Sequence, residues 1–149
     1  MTTLIRRRSA VAVPSSVAVA GLALAGAALI VAGVALPWFS LFAGLQPVSA
    51  VGTLNGTILL GSAVVAGALG IVSIVADRAI WRRLLTAVGI GLTAFSAYLA
   101  VQLMSTFRDV SADPLMVAQL GPGLGLVIIG ALSVLATSMI GDRSGRSIR

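Results

Sequence analysis

The side chains that could do chemistry are few. Among 149 residues there is no Cys, His, Glu or Lys; every basic residue is one of ten arginines and every acidic residue one of four aspartates. Without Cys or His there is no disulfide, no thiolate or imidazole metal site and no Fe–S cluster. Asp109 and Asp113 stand four apart and could share one face of a turn, the sparest form of a metal-assisted site. Two carboxylates flanked by Arg108 read more simply as solvated loop charges. Ser40, Ser62, Ser73, Ser96 and Ser133 have no base in the sequence to activate them. Hydroxyls in apolar helices turn instead to a carbonyl of their own helix. No glycine-rich phosphate loop with a partner Lys is present. The pattern nominates no catalytic residue, no cofactor and no metal, and it predicts a protein that is not an enzyme.

What positions these groups is a frame made for lipid. Hydrophobic residues make up 58% of the chain and charged residues 9%, with a mean hydropathy of +1.11. Soluble domains carry about 25% charged residues, so this composition cannot cover a water-facing surface. Four apolar runs reach the roughly 20 residues that cross a hydrocarbon core: about 17–36, 58–76, 84–104 and 121–140. Tyr98 is their only ionisable side chain. Lipid offers no partner to a free backbone amide, so each run must be helical. The expected fold is all-α, a single integral membrane four-helix bundle over residues 1–149.

Arginine placement sets the orientation. Arg6, Arg7 and Arg8 precede the first run, Arg78, Arg82 and Arg83 lie between the second and third, and Arg143, Arg146 and Arg149 follow the fourth. With Asp77 and Asp142 that side carries +7, while Arg108, Asp109 and Asp113 leave −1 on the other. The positive-inside rule then puts both termini in the cytoplasm and the protein in the plasma membrane as a multi-pass chain. Arginines in small groups outside apolar runs also argue against nucleic acid, which calls for one basic face with interleaved aromatics. A cleaved signal peptide is the rival reading of the N-terminus. Its apolar core would be 7–15 residues, shorter than the first run, and the "VSA" ending at Ala50 lies far beyond it.

Aromatics gather where runs end. Trp38, Phe39 and Phe42 follow Pro37, and Trp81 sits in "DRAIWRR". They read as interface anchors of an aromatic belt, or alternatively as a shelf for a lipid tail or a partner. Small residues offer close helix packing: Gly121 and Gly125 four apart, Gly89 with Thr93 and Ala97, Gly91 on a neighbouring strip, and Gly67 with Ala63. The loop from Pro37 to Gly56 holds no charge. In the second outer loop, Asp113-Pro114 reads as an N-cap and first helical residue. A short surface helix over "LMVAQL" is expected there; the alternative is a fourth span that begins at Pro114 and kinks at "GPG".

The Arg-rich start, a span ending in "LPW", the "DRAIWRR" turn and a last span opening with "GPGLGLVIIG" resemble small four-span membrane proteins of actinobacteria. The tryptophan-operon-associated membrane family, whose function is undefined, is one such group. Arg without Lys in a chain rich in Ala, Gly and Val also points to a GC-rich, actinobacterium-like source. The resemblance implies the span layout and no functional residue. The sequence therefore suggests an accessory or scaffold subunit whose partners are the lipid bilayer and a membrane protein or a second copy. The alternative is a small transporter or channel for a neutral or lipid-like solute, with "GPGLG" and "VGIGLT" as helix breaks.

Overall fold

A computed structural model describes residues 15–41, 46–76, 79–111 and 119–143. Four helices dominate: α1 (Ser15–Ala35), α2 (Leu54–Val75), α3 (Ala79–Ser111) and α4 (Gly123–Arg143). Three of them, α1, α2 and α3, are long and apolar enough to cross a membrane; the described side chains of α4 add a shorter apolar helix from Gly123 to Thr137. Each helix packs against two others, α1 on α2 and α4, and α3 on α2 and α4.

The surface of these helices is as oily as the interior. Val64 is 70% exposed and Val75 86%, and Leu24, Val31, Ile58, Ile71, Ile90 and Val101 are exposed as well. Water would not tolerate that array on a monomer, whereas hydrocarbon does. Size, not polarity, separates the two faces. The buried face of α2 is Gly56, Leu59, Ala63, Ala66, Gly67, Gly70 and Ser73, a run of small residues three and four apart. Lipid supplies no hydrophobic drive between helices, so close backbone approach and dispersion must hold them.

The tightest contact joins α1 to α4. A Cβ built at Gly26 would stand 2.7 Å from the Gly130 carbonyl oxygen, and one at Gly130 would stand 2.6 Å from that of Gly26. Nearly two turns farther along, Gly33 and Gly123 repeat the pairing at 2.6 and 2.7 Å. Both pairs fit one antiparallel register, seven residues apart on each helix. Only residues without a Cβ let two backbones meet so closely, at a spacing where Cα–H···O contacts form. Elsewhere, Gly70 lies against Ala23 of α1 and Gly89 against the Leu135 backbone of α4.

A small antiparallel sheet caps the end of the helices remote from Arg82 and Arg83. Its strands are β1 (Pro37–Leu41), β2 (Gln46–Ser49) and β3 (Gln119–Leu120), in the order β2-β1-β3. Phe39 pairs with Val48 on one side and Leu120 on the other. Pro37 stands at the first position of the central strand, where its missing N–H breaks no ladder. The register slips between Pro37 and Phe39, and a bulge of this kind re-aims a side chain. The re-aimed residue is Trp38. After β2, Gly52 takes φ +79° in the turn, a region open to glycine. Thr53 then caps α2, its hydroxyl accepting from the Gly56 amide at 3.0 Å and donating to the Ala50 carbonyl at 2.7 Å.

Several expectations shift. The stretch after Pro37 is a hairpin of strands, because alternating Trp-Phe-Ser-Leu and Gln-Pro-Val-Ser can pair with each other. Gln119 and Leu120, expected at the end of a surface helix, are a strand added to β1; residues 112–118 lie outside the described set. The fourth helix begins at Gly123, two residues past the expected start, so "GPG" is a connection and not a kink within a span. The third helix is longer than expected. Its 33 residues extend about 50 Å, well beyond a hydrocarbon core of about 30 Å, and it runs unbroken through "VGIGLT".

Candidate functional sites: a lateral groove and a capped cleft

The anchors expected at the membrane interface fall into different places. Trp38 is 8% exposed, and its indole N–H donates to the Gly33 carbonyl at 2.9 Å. A belt tryptophan keeps its N–H wet; this one is spent inside the protein. The reason lies four residues after Gly33. A helical carbonyl accepts from the amide at i+4, and here that residue is Pro37, which has none. The Trp38 indole fills the vacancy. Phe39 is half-buried beside it. Phe42 lies outside the described residues. Trp81 is half-buried on the first turns of α3, and its Nε1 is buried without a hydrogen-bond partner among the described residues.

The five glycines singled out for packing also divide. Gly89 is a tight contact with α4, Gly67 makes ordinary contact with Leu24 and Ala27 of α1, and Gly121 lies on the Pro37 backbone. Gly121 therefore packs, but as part of the connection into α4 and against a strand. Gly91 and Gly125 are open: a Cβ on either would meet no described atom within 4 Å. The pair Gly121–Gly125 is not a helix–helix stripe, since only its second member is helical. The sequence reading missed the seam that matters, Gly26 and Gly33 against Gly123 and Gly130. A signal for it exists, because two separate spans carry glycines at the same seven-residue interval.

Where Gly91 faces outward, the packing opens. Among the four helix contacts that of α2 with α3 is the loosest, and it leaves a lateral groove of about 460 Å³. Gly61, Ser62 and Gly91 form its low parts, and Ile58, Val65 and Phe95 rise around them. Gly61, like Gly91, meets nothing within 4 Å of a Cβ. Phe95 is held by Tyr98, ring centroids 6.4 Å apart and nearly parallel. No charged residue lines the groove among the described residues.

A second space lies under the sheet. A cleft of about 200 Å³ opens between the cap and the neighbouring turns of α2 and α3. Trp38, Phe39, Leu99 and Leu103 supply apolar wall; Asn55 and Gln102 supply carboxamides. Arg108 and Asp109, though close in sequence, are not part of it.

Several helical hydroxyls turn to a carbonyl of their own helix. Ser73 donates to Gly70 at 2.6 Å, Thr93 to Gly89 at 2.8 Å and Ser133 to Ile129 at 2.8 Å. Ser96, 1% exposed, has no partner for its Oγ among the described residues. No family model, no curated protein and no solved structure matches the chain.

Proposed function

We propose that this is a non-enzymatic integral membrane protein, a four-helix bundle of the plasma membrane with both termini in the cytoplasm. It acts as an accessory or scaffold subunit that receives a transmembrane helix of a partner, or of a second copy, in the groove between α2 and α3. One observation carries the reading. Most glycines of the buried faces are used up inside the chain, while Gly61 and Gly91 border an open groove on the apolar surface. Small residues facing lipid give up side-chain contacts, and they repay that loss when another helix backbone comes close. A groove walled by Ile58, Val65 and Phe95 fits the ridge of such a helix. The alternative, a small transporter or channel for a neutral or lipid-like solute, would use helix breaks at "GPGLG" and "VGIGLT"; the unbroken run of α3 through the second favours the subunit reading.

The test is gentle extraction followed by native mass analysis, on the wild-type chain and on Gly91→Leu. The reading expects a co-purifying protein or a dimer, lost in Gly91→Leu with helicity retained. A strictly monomeric wild type without a bound protein overturns it.

A further inference from the structure

The capped cleft is a different feature from the groove, at the end of the helices and not on their side. Its lining is mixed in a way that packing alone does not require. The free hydrogen-bonding groups are the carboxamides of half-buried Asn55 and exposed Gln102 and the hydroxyl of half-buried Ser49, none of which has a side-chain partner among the described residues. Thr53 also lines the cleft, but its hydroxyl is occupied by Ala50 and Gly56. The Trp38 N–H is likewise spent on Gly33, so Trp38 offers ring surface and no polar contact. The cleft thus presents aromatic and aliphatic wall together with two carboxamides and one hydroxyl.

Each carboxamide both donates and accepts. A group that also does both, a hydroxyl or an amide, satisfies them together. A carboxylate uses only the donors and an ammonium only the acceptors. Either ion would also leave water for a site with no countercharge among the described residues, which is costly. The volume sets the size. About 200 Å³ is comparable with the roughly 150 Å³ of an apolar cavity that takes up benzene, room for a single ring or short chain.

We propose that this cleft binds a compact uncharged molecule, one apolar ring or short chain bearing an amide or a hydroxyl. The apolar part lies on Trp38, Phe39 and Leu103, and the polar part meets Asn55 and Gln102. The geometry is that of small-molecule sites generally: mostly apolar wall with a few convergent polar groups.

Benzamide is a suitable probe, with benzoate and benzylammonium as its charged counterparts of the same shape. The protein carries two tryptophans and one tyrosine, so Trp81→Phe makes Trp38 the sole tryptophan, excited selectively at the red edge of its absorption where Tyr98 does not absorb. With that variant in phosphatidylcholine nanodiscs, benzamide produces a saturable change in Trp38 emission, and the two ions do not. Adding Asn55→Leu and Gln102→Leu weakens the half-saturating concentration at least fivefold. Thr106→Phe, a change at an exposed position on the cleft wall, fills the space and abolishes saturation while helicity by circular dichroism stays unchanged. It serves as the decisive variant should the double substitution fail to fold. A response that rises without saturation, that survives Thr106→Phe, or that is equal for benzoate, overturns the proposal.

Discussion

The indole N–H of Trp38 donates to the carbonyl of Gly33 across 2.9 Å, replacing the amide that Pro37 cannot supply. Three residues act as one device. Pro37 ends α1, Trp38 closes the gap that Pro37 opens, and the Trp38 carbonyl accepts from the Gly121 amide at 2.8 Å, tying the cap to the entry of α4. Gly33 itself faces Gly123, so the same turn of α1 joins the glycine seam to the sheet.

That device is separable by a double-mutant cycle. Trp38→Phe leaves the Gly33 carbonyl buried without a donor, a loss of about 1–3 kcal/mol, read by reversible unfolding in mixed micelles. In a Pro37→Ala background the chain regains an amide four residues after Gly33, and Trp38→Phe then costs less. Equal costs in the two backgrounds would show the indole bond to be incidental.

The glycine seam predicts an asymmetry between positions of identical type. Gly130→Ala drives a methyl into the Gly26 carbonyl and lowers stability by about 1–3 kcal/mol, the range for overpacking. Gly21→Ala meets nothing within 4 Å and is neutral or stabilising by up to about 1 kcal/mol, from helix propensity alone. Thermal unfolding of both variants in one detergent checks this, and similar losses would refute the seam.

Ser96 predicts a gain on removal of a polar atom. An unpartnered buried hydroxyl costs about 1–3 kcal/mol, so Ser96→Ala unfolds at the same temperature as the wild type or a higher one. Ser73→Ala gives no such gain, because its hydroxyl is already bonded to Gly70. A clear loss at Ser96 would mean that its hydroxyl has a partner in the membrane.

At the start of α2, Thr53→Ala removes the cap from the Gly56 amide and costs about 1 kcal/mol. Thr53→Ser keeps the oxygen and restores most of it. Amide hydrogen exchange in the first turn of α2 should speed in the alanine variant alone.

Orientation is open to direct labelling, since the chain has no native cysteine. A single cysteine at exposed Gln46 of β2 is expected to react with a membrane-impermeant maleimide on intact cells. One at Ser147 is expected to react only after lysis. The reverse pattern would invert the arrangement derived from the arginines.

The amino-acid sequence alone points to lipid as the solvent and places the helices. Runs such as 17–36 and 58–76 admit no other backbone in lipid, and their ends lie within four residues of α1 and α2, because charge, proline and caps act locally. It could not separate the buried from the exposed face, since Val64 and Ala63 are both apolar and only their neighbours tell them apart. Nor could it distinguish Gly89, pressed on α4, from Gly91, open to the groove; two residues' distance on a helix is about 200° of rotation. The sheet was hidden for a related reason. Phe39 finds partners at Val48 and at Leu120, the latter 81 positions away, and such pairing exists only after the helices have brought the two ends of the chain together. Tertiary structure decided which glycines are spent, where Trp38 turns and which spaces stay open, because each of these depends on what stands opposite, and no run of residues carries that.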